Sequence, residues 1–580
     1  MNRILKGLLI TALLINTIHV NAYTGKTFLT PRSVGVDLPM ESTTFNELAH
    51  YKGHERAGGT LAVTGFGKNT DSNTEMAKYF LALNKTSLTL SEGTNTIKTA
   101  SDLDLRYIIH DAVTQANIGS LPATISLSPE QTVCGLRFDY YQDLSKHLKG
   151  LYLYANIPIA HIKNNLKLKV VSSAQYPANV LSAAGGESVQ TTLINYFNGT
   201  FSNTNGKAEV APIDLTPPFI ILPLPNHVFA STNINLQDPL KSAKIDGNRS
   251  DTNAAEINVG VGYKFLNKES YHAALALAVA FPTGDEADGT YVFDAIVGNG
   301  DHFGIVADFC ADTRIWGDIN HNIKLNAAIK YYYLFENTEK RTLGIKGYNM
   351  GQYALLVKAG TAANQTTSLI PAANVTTLNL NITPGSQFDG ILGLAYNNGN
   401  FTCDLGYNLY FRAAESLKLK DTFAAGGYAV AAVNANTTGG ITYTATEDGA
   451  GLNYTITNPL ASTIAITGSI HANGGPFPNG NIAVETAANG VAIPAPIVPA
   501  AYIDGGIING ASAILSTSNL DIDGASTPSQ LTNSIYLSLG YIFKQSSIPV
   551  MLGLGGKYEW ACKNSAFDQW TVYGKLGIGF

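Results

Sequence analysis

The sequence predicts an all-β fold: an antiparallel transmembrane β-barrel of about 14 strands (12–16 as the range) with long extracellular loops. Three observations predict it. Apolar residues alternate with polar or small ones over stretches of roughly 10 residues, the length and period of a strand that crosses a bilayer. Short turns and long connections follow one another along the chain. Only 14% of the 580 residues are charged, at a mean hydropathy of +0.05. That charge is too low for a disordered or nucleic-acid-binding chain, and 45% hydrophobic residues is no excess of the kind a bundle of membrane helices carries.

Residues 1–22 read as a secretory signal peptide: Arg3 and Lys6 precede an apolar run from Gly7 to Ile18, and small residues close at Ala22. Without them the chain holds 35 basic and 43 acidic residues, a formal charge of −8. Residues 23–56 are polar and irregular and are expected to form a periplasmic arm or a plug, with a short helix over Pro39 to Tyr51. The barrel is assigned to 57–580, with long insertions at 161–254 and 413–531.

Alternation is clearest near the C-terminus. Trp570, Val572, Gly574, Leu576, Ile578 and Phe580 share one face, opposite Gln569, Thr571, Tyr573, Lys575, Gly577 and Gly579. Ile535 to Phe543, Phe401 to Arg412, Ile323 to Phe335 and Val259 to Phe265 repeat the pattern. Strands are expected to start near 131, 148, 255, 269, 301, 322, 352, 374, 388, 401, 532, 548 and 568, with 121–128 added to make the number even. The runs 57–66 and 86–91 are left open. Keeping every short turn on the rim of Phe580 requires 374–382 to be a wall strand.

In a membrane barrel the polar face lines a lumen. That phase makes Arg137, Lys264, Lys324, Lys330, Arg412, Lys557 and Lys575 pore-lining, together with Asp139, Asp308, Asp312, Asp389 and Asp404. Both signs then share one wall, which in a wide bore orients polar solutes and in a narrow one closes it with salt bridges. The insertion 413–531 carries no Lys or Arg after Lys420, and its later charges, from Asp421 to Asp523, are all acidic. It could attract cations, or it could be a solvated surface. Asp285, Glu286, Asp288, Asp294 and Asp301 cluster in a Gly-rich stretch but lack the spacing of a calcium loop. His50 and His54 stand at helical spacing, which a polar helix face explains as well as a ligand pair. Cys134, Cys310, Cys403 and Cys562 have no metal-site spacing, and Cys310 and Cys403 fall on opposite faces, so these two should not pair. No catalytic, metal or cofactor motif appears, and the chain is not expected to be an enzyme.

The terminal amphipathic strand ending in Phe580 resembles that of bacterial outer-membrane β-barrel proteins. The stretch Phe281-Pro-Thr-Gly-Asp, with Gly25-Lys-Thr-Phe, Ala77-Lys-Tyr-Phe and Gly58-Gly59, is similar to an uncharacterised porin-like group of them. The resemblance implies a Gram-negative outer-membrane location, contact with lipid and lipopolysaccharide, and recognition of Phe580 by the barrel-assembly machinery. It also implies a homotrimer and passive diffusion of small polar solutes, with no nucleic-acid partner. The alternative is an adhesin or surface barrel with a closed lumen, acting through its long acidic loop.

Overall fold

The computed structural model describes residues 25–42, 58–71, 74–91, 103–104, 108, 122–174, 188–201, 237–245, 247–346, 349–358, 370–423, 428–430, 442–448, 451–457, 501–503, 506–508, 515–544, 548–562 and 565–580. The expected signal peptide and the pair His50 and His54 lie outside them.

Twelve antiparallel strands close into a barrel. They are β1 Gly59–Thr70, β2 Glu130–Asp143, β3 Leu151–Asn165, β4 Glu256–Lys268, β5 Tyr271–Pro282, β6 Gly304–Gly317, β7 His321–Leu334, β8 Gln387–Asn398, β9 Phe401–Arg412, β10 Gln530–Phe543, β11 Val550–Ala561 and β12 Gln569–Gly579. Closure is made by β1, which pairs with β12 (Thr60 opposite Gly579) and with β2 (Gly59 opposite Gln142). One further strand, Arg249–Ala254, pairs with the upper end of β3 outside the ring.

The count is 12 and not 14. The expected wall strands near 121, 352 and 374 are the short runs Ala123–Ser126, Leu355–Lys358 and Thr377–Thr383, and each pairs in a small separate sheet beyond the rim. A membrane-crossing strand needs about 9–11 residues, so runs this short cannot reach across. The run 57–66, left open from sequence, is the start of β1. The strands near 352 and 374 leave the wall together, and the parity of the rims is therefore kept without either.

Five short connections, 144–150, 269–270, 318–320, 399–400 and 544–549, lie at the rim of Phe580, and the other six, all long except 562–568, lie at the opposite rim. At that long-loop rim the connections fold into a cap with its own apolar core. Leu88 and Ile125, Val189, Leu193, Tyr196 and Phe197, Phe293, Tyr353 and Leu380, Leu515 and Leu520, and Phe567 are all buried in one cluster, so each of the six connections at this rim contributes. The helix Val189–Asn198 shows the local logic: Ser188 caps it by accepting from Thr191 N–H, and Gly199 ends it in the left-handed conformation.

Inside the wall, large rings lie over glycines of the adjacent strand. Tyr154 covers its strand partner Gly260, Tyr152 covers Gly262, and Tyr536 covers Gly406. A Cβ at any of these glycines would enter the ring, and this shape match explains part of the glycine and tyrosine content.

Candidate functional site

The wall is inverted relative to a soluble barrel. Its inward side chains are buried and largely polar, while Leu537 (48% exposed), Val572 (53%), Leu554 (71%), Leu277 and Leu392 face outward. Outward aromatics gather at both rims: Tyr263, Phe265, Trp316, Phe401, Tyr541 and Phe543 at one, and Phe281, Phe303, Phe335, Tyr558 and Trp570 at the other. An even-stranded closed barrel with an apolar belt between two aromatic girdles is built to sit in lipid, because closure leaves no backbone group unpaired there. The molecule is an outer-membrane β-barrel.

What fills its lumen is the N-terminal segment. At the cap, Lys26 N–H donates to Tyr79 O (2.9 Å), Thr27 N–H donates to Gly524 O (3.1 Å), and the Arg341 guanidinium stacks over Phe28, 3.7 Å from the ring centroid. Arg341 is itself gripped by Glu339 (2.8 Å) and Glu415 (2.6 Å). Burial alone would raise the Glu415 carboxyl, but Arg341 and Arg412 beside it hold it below the usual carboxylate range.

From there the segment descends between the strands. Thr30 O accepts from Arg412 (2.7 Å) and from Gln530 (3.1 Å). Arg32 pairs with Asp389 (2.8 Å) and Glu559 (3.2 Å), donates to Val36 O (2.6 Å), and lies over the Tyr410 ring. Ser33 Oγ donates to Glu256 (2.8 Å), and Gly35 passes so close to that carboxylate that any side chain would collide with it. Asp37 pairs with Lys557 (2.6 Å), and both side chains are fully enclosed. Leu38 N–H donates to Asp389 (2.9 Å) and opens a short helix, Leu38–Ser42, which begins one residue before the expected one and is described only to Ser42. Glu41 ends the described course at mid-height, bound by Arg137 (2.5 Å) and Lys330, while Lys575 donates to Met40 O (2.5 Å).

The twelve charged residues assigned to the lumen from sequence are buried or half-buried, and most are held in ion pairs instead of facing an open bore. Arg137, Lys330, Arg412, Lys557 and Lys575 hold the N-terminal segment directly. Asp139 orients Arg137 (2.8 Å), and Asp308 stands 3.7 Å from Lys330. Lys264 faces Asp143 at 3.7 Å, Lys324 faces Asp312 at 4.0 Å, and Asp312 also meets His272 (3.0 Å). Asp404 is buried and lines a cavity below the segment. Sequence reasoning missed Arg32, Asp37, Glu41, Lys68, Glu256 and Glu559. The one available signal was phase: Glu559 shares the face of Lys557, and Glu256 that of Asn258.

The acidic stretch after β5 spends its carboxylates on its own turns. Asp285 accepts from Val297 N–H, Asp288 from Thr290 N–H and Asp294 from Ala295 N–H. All four cysteines are free thiols. In the long insertion a strand, Gly451–Thr457, pairs with Thr442–Asp448.

No protein-family model and no curated protein sequence matches the chain. Among solved structures it is similar to an outer membrane channel from Pseudomonas putida F1, with 7% identity, a TM-score of 0.34, and 90% of this chain and 96% of that one covered. It is also similar to the Pseudomonas putida toluene transporter TodX (7%, 0.28, 96% and 95%) and to a Pseudomonas aeruginosa FadL homologue (7%, 0.26, 97% and 97%). Likenesses at this level decide nothing about function.

Proposed function

We propose that the protein is a gated outer-membrane channel for small polar solutes, shut in this conformation by residues 25–42. The observation that carries the reading is the way the segment is held, through Arg32, Asp37 and Glu41, each paired with charges of the wall. A lumen closed for stability alone would be better filled with apolar side chains, because a buried ion pair often does no better than a well-packed hydrophobic isostere. A polar plug in a polar wall has a different property: when it leaves, it uncovers a lumen that water and polar solutes can wet. Residue 25 lies in the cap and β1 starts at the opposite rim, so the segment stands across the solute path.

The folded cap supports a second reading, in which the lumen stays closed and the outer face binds a surface partner. Conductance in planar bilayers separates the two. The channel reading expects the intact protein to be mostly silent and the double variant Asp37→Asn, Glu41→Gln to open far more often. A folded, inserted double variant that stays silent would contradict it and favour the surface role.

A further inference from the structure

Below the helix Leu38–Ser42 the lumen widens into a cavity of about 110 Å³, enclosed by β2 to β7 with Asp404 and Tyr536 opposite. Its walls differ in character. On one side Tyr141, Tyr152 and Tyr154 form a ladder with successive ring centroids 5.2 and 6.4 Å apart. On the other, Ala274 and Ala328 offer only methyl groups.

Two observations point to an occupant. The Tyr141 and Tyr154 hydroxyls and Asp139 Oδ2 are enclosed and have no hydrogen-bond partner among the described residues, although all three residues are more than nine-tenths buried. Buried polar groups are seldom left that way. In addition, three ion pairs around the cavity are long, Lys264–Asp143 and Lys330–Asp308 at 3.7 Å and Lys324–Asp312 at 4.0 Å, although Arg137–Asp139 and His272–Asp312 close to 2.8 and 3.0 Å. Those that hold the N-terminal segment close to 2.5 Å at Arg137–Glu41 and 2.6 Å at Lys557–Asp37.

We propose that this cavity is a binding site for a small, neutral, polyhydroxylated solute. The assignment deepens the channel reading and rests on it for the route by which the solute arrives. A hydroxyl both donates and accepts, so it satisfies a phenol, an ammonium and a carboxylate alike. Neutrality follows from the balance of the lining. The lining carboxylates Glu41, Asp139, Asp308 and Asp312 are faced by Arg137, Lys330 and Lys324, and Asp404 has an interaction of its own, so a net charge brought in would be buried without a free counter-ion. The carbon skeleton packs between the tyrosine faces and the alanines. Size sets the upper limit: a cavity of about 150 Å³ accepts benzene, so this smaller one suits a polyol of no more than about three carbons, the six heavy atoms of glycerol.

Saturation-transfer NMR with glycerol on the intact barrel in lipid nanodiscs tests the site without using conductance, so a silent channel does not decide it. Wild type should show transfer to glycerol, and neither glycine nor benzene should displace it. Tyr141→Phe with Tyr154→Phe removes only the two unpartnered hydroxyls and should weaken binding roughly tenfold or more. Ala274→Leu, which fills the cavity from β5, should abolish it, and heat-modifiable migration on gels reports that each variant folds. Absence of transfer in wild type, unchanged binding in a folded variant of either kind, or displacement by glycine or benzene would overturn the assignment.

Discussion

Replacing Asp37 by Asn keeps the shape of the N-terminal segment and removes one charge from the most enclosed ion pair in the lumen. Lys557 meets Asp37 at 2.6 Å, with both side chains at 0% exposure. Removing one partner of a buried pair costs about 3–5 kcal/mol, because the other charge stays behind. Here the lower end applies, because Lys557 also has Glu559 at 3.3 Å. In the open state Lys557 is hydrated and the substitution costs little, so nearly the whole penalty falls on the closed state. At 1.4 kcal/mol per decade, about 3 kcal/mol raises the open-to-closed ratio roughly a hundredfold. Single-channel recording in planar bilayers reads this as open probability. Lys557→Met in the same chain removes the stranded ammonium and should restore most of the closure, because contacting sites are not additive. An unchanged open probability in Asp37→Asn, or a double variant that opens even more, would refute the reasoning.

Leu537→Arg places a charge on the lipid face midway along β10 and should cost about 2–4 kcal/mol, seen as a lower urea midpoint for the heat-modifiable form. Gly262→Val drives side-chain atoms into the Tyr152 ring and should destabilise the wall by about 1–3 kcal/mol. Gly67→Ala, where nothing lies within 4 Å of the new Cβ, should be nearly silent in the same unfolding assay. Glu415 is held below the ordinary carboxylate range, so its contribution is fully present above its unfolded value of about 4.3. As pH falls from there through the lower folded value, that contribution is lost, and limited proteolysis of the cap should accelerate only on that acid side. Glu415→Gln should remove this acid-side change.

The wall was legible wherever lipid imposes a strict period of two over a full crossing. Phe401 to Arg412, Ile535 to Phe543 and Trp570 to Phe580 have the faces that their alternation implies. The same alternation misled at Thr377–Thr383, because a short strand in the cap also has one buried face, and pattern alone does not say what that face is buried against. The pore charges were legible as inward-pointing, since phase fixes direction. Their role was not, because the partners that decide it are remote: Asp37 is 520 residues from Lys557 and Glu41 is 289 from Lys330. Nothing local in Pro31 to Glu41 marks three charges as ligands for a wall that has yet to be made. The cap was hidden for a similar reason, since its core is assembled from single apolar residues spread over six connections.

The central claim is that residues 25–42 stand inside the lumen as an ordered, ion-paired plug. Hydrogen–deuterium exchange on the intact barrel in lipid nanodiscs, read by mass spectrometry over peptides spanning 28–42, tests it most directly. The account predicts exchange as slow as in β9 and β11, and markedly faster exchange in Asp37→Asn with the wall strands unchanged. Exchange at the rate of an unstructured chain in the wild-type protein would contradict it.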